Sequence, residues 1–247
     1  MEPILFVRCD AFETYGVAPA AVEAAGATPT IWDTTQPDAE RPDLADVSGV
    51  VLFGSTSNVE HADERPFIKD VADLTAEAVE RGVPVLGLCF GAQVLAWALG
   101  AAVEKAPVRE VGFEPLRTLP AIADDPVLGH YGDGVPVFHW HEDTFELPEG
   151  ATLLATGDLV PNQAYRVGEA VWATQFHAEV DAAEVEWWID AASAQEDLEA
   201  TWGKSPERMR EEVARYMADH ERRGRETFRR FVAVATERPA ARTEGRR

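Results

Sequence analysis

A cysteine stands between two glycines at residues 87–91, where the sequence reads GLCFG. The apolar, strand-like stretch VPVLGL leads into it, and the apolar, helical stretch GAQVLAWALG follows. Glycines are needed where a strand turns sharply into a helix, because larger side chains would clash at the corner. The pattern is typical of a nucleophile elbow, which presents a reactive side chain at a helix N-terminus. We therefore predict that Cys89 is a nucleophile, and the alternative is a buried structural cysteine between packing glycines.

A histidine and a carboxylate in the stretch VWATQFHAEV, residues 171–180, are the best partners for such a nucleophile. An apolar strand would deliver His177 at its C-terminal end, and Glu179 follows two residues later. A thiolate nucleophile needs a base, and the base needs an acid that holds one imidazole tautomer. A histidine and a glutamate at this spacing are weak evidence alone, because a strand-end histidine is more often a satisfied polar residue.

A metal centre is the main alternative use of these residues. His139 and His141 would share one face of a strand, and together with His177 and Glu179 they offer zinc ligands. A triad, however, requires His177 to be free of metal, and no third histidine motif lies nearby. We therefore predict no metal site. Cys9 lies at the end of the first apolar stretch with nothing near it to activate a thiol, so we predict a core thiol there.

Alternating apolar strands and helices must position these groups. The first hundred residues predict strands at 4–8, 28–32, 47–53 and 83–88, with helices at 17–25, 66–81 and 91–99. Strands that are apolar on both faces favour a mainly parallel sheet flanked by helices, an α/β fold. Shorter strands broken by turns are predicted at 103–119, 135–140, 151–156, 164–167 and 170–176, and they indicate a smaller antiparallel part. Residues 181–236 predict a helical extension packed on the same domain, and 237–247 a disordered tail.

The net charge of the 247-residue chain is −22, which disfavours binding to nucleic acid because phosphate backbones would be repelled. No apolar run is long enough to span a membrane, and the N-terminus lacks the features of a signal peptide. We therefore expect a cytoplasmic protein with reduced cysteines and no membrane partner. The spread of the acidic residues favours a surface adapted to high salt over an acidic face that docks a partner.

Two of these stretches together resemble the class I (triad) glutamine amidotransferases. GLCFGAQ and TQFHAEV are similar to the family patterns G-x-C-x-G-x-Q and Q-F-H-P-E. The resemblance implies a flavodoxin-like fold over residues 1–180, with Cys89 as nucleophile, His177 as general base and acid, and Glu179 as its orienting partner. It also implies that Gln93 binds the amino-acid end of the substrate. Ala178 stands where the family has a proline.

Two further stretches extend the resemblance. VVLFGSTSNV, residues 50–59, occupies the place of the S-G-G-P-x-S loop, which implies substrate contact by Gly54 and an oxyanion hole from the amides of Ser55 and Phe90. FHWHED, residues 138–143, followed by LPEG, resembles W-x-S-H-x-D…L-P-x-G and is nearest to the amidotransferase units of GMP synthases. In that group this loop contacts glutamine. The matching residues, and so the implied substrate contacts, are His141 and Asp143, whereas Trp140 replaces the usual serine.

The resemblance implies hydrolysis of the side-chain amide of glutamine through a cysteine thioester, with no cofactor. The chain has no S-G-G-x-D-S motif and no glycine-rich P-loop, so a separate ATP-dependent synthetase would receive the ammonia, as in a GMP synthase. A stand-alone peptidase or hydrolase of γ-glutamyl conjugates is an alternative, which Trp140 and the helical extension suggest. A catalytically silent binding module is the third. The tryptophans of the extension have two alternative roles: they pack it on the core, or they form a patch that faces a partner. These residues are Trp187, Trp188 and Trp202.

Overall fold

A single nine-stranded sheet organises the chain, which is described by a computed structural model over residues 2–36 and 38–237. The order of the strands is β2-β1-β3-β4-β9-β8-β7-β5-β6. The strands are β1 (Ile4–Arg8), β2 (Pro29–Asp33), β3 (Gly49–Leu52), β4 (Val85–Leu88), β5 (Val103–Thr118), β6 (Pro136–Phe145), β7 (Ala151–Gly157), β8 (Ala164–Val167) and β9 (Val171–Thr174). The helices are α1 (Ala18–Ala24), α2 (Phe67–Glu80), α3 (Phe90–Ala98), α4 (Ala182–Ser193), α5 (Leu198–Trp202) and α6 (Pro206–Glu237).

The parallel half of the sheet, β2-β1-β3-β4-β9, is covered on both faces. Successive side chains of a strand point to opposite faces, so Phe6 joins a core with α1 and α6, whereas Leu5 and Val7 join a core with α2 and α3. This arrangement explains why the central strands are apolar throughout. The predicted mainly parallel α/β sheet flanked by helices, with a smaller antiparallel part, is confirmed.

The antiparallel half, β8-β7-β5-β6, extends the same sheet beyond β9. The long strand β5 pairs with β6 along most of its length and then crosses to pair with β7 through residues 116–118. Strand β6 runs to Phe145, five residues beyond the predicted end, because its second half pairs with residues 103–110 of β5. His141 and Asp143 therefore lie in a strand and not in the loop that the resemblance implied.

Three helices follow the sheet in the region where the sequence predicted a helical extension. Asp181 and Asp197 cap the N-termini of α4 and α5, and Gly203 ends α5 in the left-handed conformation with φ of +76°. These helices cover an apolar cluster on β5 and β6 that includes Phe113 and Phe138. Of the predicted tail, residues 238–247 lie outside the described residues, and no described helix has both the length and the apolar character that a membrane span requires.

Candidate active site

The candidate site lies where four neighbouring parallel strands, β1, β3, β4 and β9, end at one edge of the sheet. The loops that follow these strands line a cavity of about 530 Å³. In the register of β4 and β9, Leu88 pairs with Thr174, and the Cys89 N–H donates to the Thr174 carbonyl at 2.8 Å. The pairing brings the residues after both strands to the same edge, which is where open α/β sheets bind ligands.

Cys89 occupies the corner between β4 and α3 with a strained backbone, φ +50° and ψ −109°. A Cβ on Gly87 would lie 2.7 Å from the Gly91 carbonyl oxygen, and one on Gly91 would lie 2.2 Å from the Leu52 carbonyl oxygen. Both glycines are thus required by the close approach of backbone on either side of the corner. Backbone strain of this kind persists where the surrounding structure enforces it, as at a nucleophile elbow.

The second cysteine has the opposite environment. Cys9 is buried, and its Sγ lies 3.8 Å from the Val7 carbonyl oxygen. Burial, followed by the charges of Glu13 and Asp10, raises the pKa of the Cys9 thiol far above its usual range. Cys9 is therefore an unreactive thiol at neutral pH, whereas Cys89 lines the cavity.

His177 and Glu179 form a buried pair beside Cys89. The Nδ1 atom of His177 lies 2.6 Å from Oε1 of Glu179, and both side chains are at most 5% exposed. Because the carboxylate accepts at Nδ1, the other ring nitrogen is free to act on the thiol. Burial disfavours the charged ring, but the Cys89 thiolate and the Glu179 carboxylate outweigh it and raise the pKa of His177 well above its usual value. The residues predicted as nucleophile, base and orienting acid are therefore brought together.

Helix α6 fixes the turn that carries the histidine. The Nε2 atom of His220 lies 2.7 Å from the His177 carbonyl oxygen, and His220 is fully buried. Burial lowers the pKa of His220 to about 3, so the ring is neutral. A Cβ on Gly224 would lie 2.1 Å from the Ala178 carbonyl oxygen, so only glycine lets the helix approach this closely. Sequence reasoning missed both contacts because they join residues more than forty positions apart.

Two further buried carboxylates lie near the pair, and no sequence motif indicated them. Oε1 of Glu13 accepts from the Tyr15 N–H at 2.7 Å, and Oε1 of Glu184 accepts from the Thr14 N–H at 2.9 Å. Burial, followed by repulsion from Glu179 and Glu184, raises the pKa of Glu13 well above its usual value. Burial also raises the pKa of Glu184 to about 7, with Glu179 adding to the effect. This edge of the sheet thus holds two acids, Glu13 and Glu184, that resist ionisation.

The loop after β3 is held in place beside the cysteine. The Thr56 N–H donates to Asp10 at 2.8 Å, and the Ser55 hydroxyl donates to the Cys9 carbonyl at 3.0 Å. Across the described part of the chain, no group accepts a hydrogen bond from the backbone N–H of Ser55 or of Phe90. Both amides are therefore available to a ligand, as an oxyanion hole requires. A Cβ on Gly54 would lie 3.0 Å from His177 Cε1, which places the loop against the base.

The side chains predicted to hold the substrate's amino-acid end already have protein partners. The Gln93 amide donates to the Asp143 carbonyl at 3.2 Å, and the Asp143 carboxylate pairs with Asn58 at 2.6 Å and with Lys105 at 2.9 Å. His141 turns its ring toward Glu110, with Nε2 2.9 Å from Oε2. All three predicted residues line the cavity, but their observed contacts brace β6 against α3, the β3 loop and β5.

Aromatic side chains form the wall opposite the loop. Trp140 on β6 packs against Trp188 of α4 and Trp202 of α5, with ring centroids 6.1 and 6.0 Å away. The Trp188 ring lies edge-on to His177 at 5.0 Å. Trp187 is 45% exposed at the rim of the cavity. The tryptophans of the extension thus both pack on the core and shape the cavity.

The fold and this edge define an α/β protein that carries a cysteine on a strand–turn–helix elbow, with a histidine–glutamate pair after the neighbouring strand. The chain matches the family "Glutamine amidotransferase class-I" over residues 14–186. It therefore belongs to the class I glutamine amidotransferases.

Relatives and solved structures agree with this assignment. YfeJ, a glutamine amidotransferase-like protein of Salmonella typhimurium, is 31% identical over 81% of this chain and 84% of its own length. A glutamine-hydrolysing GMP synthase of Porphyromonas gingivalis is 36% identical over 56% of this chain, which spans only 26% of that enzyme. The crystal structure of a glutamine amidotransferase from Thermotoga maritima has a TM-score of 0.83 and 26% identity, covering 95% of this chain and 98% of that one.

Proposed function

We propose that the chain is a cysteine-dependent amidohydrolase that releases ammonia from the side chain of glutamine and supplies it to a separate synthetase. The observation that carries this proposal is the arrangement of Cys89 on its strained corner beside the His177–Glu179 pair. The chain is similar to GMP synthases, and the aligned part spans 26% of one such enzyme. This similarity supports a separate synthetase as the partner.

The reaction would begin with transfer of the Cys89 proton to His177. The raised pKa of His177 favours the imidazolium that this transfer forms, and Glu179 stabilises it through Nδ1. The thiolate attacks the side-chain carbonyl carbon of glutamine, so a C–S bond forms and the carbonyl oxygen becomes an oxyanion. The free amides of Ser55 and Phe90 would donate to that oxygen.

Collapse of the tetrahedral intermediate would break the C–N bond. Protonated His177 gives its proton to the departing nitrogen, so ammonia leaves and a γ-glutamyl thioester remains on Cys89. Neutral His177 then takes a proton from water, which attacks the thioester carbonyl and releases glutamate. The cysteine is regenerated as the C–S bond breaks. Glu179 holds the imidazole through Nδ1, and His220 holds the His177 backbone through its carbonyl oxygen.

A stand-alone hydrolase of substituted γ-glutamyl amides is the second candidate. It is favoured by the cavity of about 530 Å³, whose wall is formed by Trp140, Trp188 and Trp202. Free glutamine leaves most of such a volume empty, whereas an aromatic wall next to the scissile bond suits a bulky amine substituent. The chemistry at Cys89 is the same for both candidates, and only the leaving group differs.

The test is turnover of L-glutamine and of a panel of γ-glutamyl amides with aromatic or aliphatic substituents, measured as glutamate release. Cys89→Ser should abolish turnover, and Cys9→Ser is the matched control, because it alters the buried thiol outside the cavity. Glutamine turnover that appears on addition of a synthetase supports the ammonia-supplying role. Efficient turnover of a substituted amide by the chain alone supports the second candidate. Activity that survives Cys89→Ser would contradict both, and a wild-type chain that turns over none of these substrates, with or without a synthetase, would indicate a binding module.

A further inference from the structure

A buried cluster of two histidines and a glutamate lies beneath the candidate active site. The donor atoms of Glu110, His139 and His141 all lie within 4.8 Å of one another, and all three side chains are at most 2% exposed. Glu110 is on β5 and both histidines are on the facing strand β6, where Glu110 and His141 are register partners. The sequence showed the two histidines on one face, but it could not show that β5 supplies a carboxylate to them.

The hydrogen bonding of His141 makes the cluster incomplete. Nδ1 lies 3.0 Å from the Asp143 carbonyl oxygen, which can only accept, so Nδ1 carries a hydrogen. Nε2 lies 2.9 Å from Oε2 of Glu110, and this contact does not have the alignment of a hydrogen bond. A buried ring nitrogen and a buried carboxylate oxygen that lie this close without a hydrogen bond between them would both be satisfied by a cation between or beside them.

His139 adds a third donor with the same need. Its Nδ1 lies 3.8 Å from Oε2 of Glu110 and, within the described ranges, is a buried nitrogen with no hydrogen-bond partner. The carboxylate is oriented from behind by Gln163, whose amide donates to the same oxygen at 2.8 Å. A hydrogen-bonded partner behind a ligating carboxylate is a common feature of metal sites.

We propose that Glu110, His139 and His141 bind a divalent transition metal of the zinc class. Two imidazole nitrogens and one carboxylate oxygen are a ligand set that zinc uses, with bond lengths near 2.0–2.2 Å. An ion at that distance from both His141 Nε2 and Glu110 Oε2 is compatible with their separation of 2.9 Å. This proposal replaces the expectation of no metal site, which considered His177 and Glu179 as the further ligands.

The site, whose three side chains are buried, serves the active site through strand β6. Trp140 lies between the two histidines in sequence, and its carbonyl oxygen lies 3.9 Å from Cys89 Sγ. Phe138 precedes His139, and its carbonyl accepts from the His177 N–H at 2.9 Å. A metal that fixes both histidines therefore fixes the stretch of backbone on which the nucleophile and base rest. Metal binding stabilises the fold and the position of these two groups.

Binding of cobalt(II) and zinc to the chelator-treated full-length chain tests the proposal. The assay uses the Cys89→Ala background, because the thiol and His177 could themselves bind these metals. We expect one tightly held ion per chain by elemental analysis, a cobalt spectrum without thiolate charge transfer, and a higher Tm. Free metal at 100 times Kd should raise the Tm by roughly 5–11 °C.

Glu110→Gln and His139→Gln in the same background should abolish binding and the Tm shift, whereas His61→Gln, which removes an exposed histidine, should change neither. Near-UV circular dichroism checks that each variant is folded, and His139→Gln serves if Glu110→Gln does not fold. The proposal would be overturned if stoichiometric binding needed Cys89 and survived both substitutions. It would also be overturned if the Cys89→Ala chain bound no metal. Because the readouts are binding and Tm, they do not depend on whether the proposed amide hydrolysis is correct.

Discussion

Replacing Glu184 by glutamine should stabilise the protein at neutral and alkaline pH. The carboxyl group is buried near Glu179 and Glu13, and burial raises its pKa from 4.5 to about 7. Folding therefore favours the protonated form, so the carboxyl group makes stability fall as pH rises from about 4.5 to 7. At about 1.4 kcal/mol per tenfold change in proton affinity, the ionised group costs the folded state roughly 3 kcal/mol above pH 7. Glutamine keeps the oxygen that accepts from the Thr14 N–H but carries no charge.

The free energy of unfolding, measured by denaturant titration at pH 4 and pH 8, checks this prediction. The variant and the wild type should differ little at pH 4. At pH 8 the variant should be more stable by roughly 3 kcal/mol, or about 6–12 °C in Tm. Glu186→Gln on the same helix is the control, because its side chain is 46% exposed and pairs with Arg210. An equal effect of Glu184→Gln at both pH values, or a variant less stable than the wild type at pH 8, would refute the reasoning.

Two further predictions concern the turn that carries the catalytic base. Glu179→Gln should lower kcat/KM for γ-glutamyl amide hydrolysis by about 10²–10⁴, because the imidazole loses the carboxylate that lies 2.6 Å from Nδ1. A fall of less than tenfold in the steady-state kcat/KM would argue against the triad. Gly224→Ala should lower the free energy of unfolding by roughly 1–3 kcal/mol or more, since its Cβ would lie 2.1 Å from the Ala178 carbonyl oxygen. Gly132→Ala, whose Cβ has no neighbour nearer than 3.8 Å, should change it by only about 0.5 kcal/mol in a parallel thermal unfolding experiment.

The local pattern of the chain determined the parallel half of the fold and the identity of the reactive groups. Apolar strands that alternate with amphipathic helices can be buried only in a covered parallel sheet, and glycines on both sides of Cys89 permit the sharp corner. A histidine at the end of the strand at 171–174 lies near that corner whenever the two strands are neighbours. These inferences use spacing within one element, or the rule that parallel strands end at one edge.

The groups that surround the catalytic pair were decided by the tertiary structure alone. Glu13 and His220 are far from the motifs in sequence, and Glu184 follows Glu179 by five residues. Each of the three is an ordinary polar residue of a loop or helix when judged from the sequence. Whether a carboxyl group is ionised, or a histidine is neutral, depends on burial and on neighbours that packing supplies, and spacing along the chain does not encode either. The same holds for Glu110, which meets the two histidines only because β5 and β6 pair in one register. Sequence thus determined which residues are candidates to react, and packing decided their charge, their orientation and their companions.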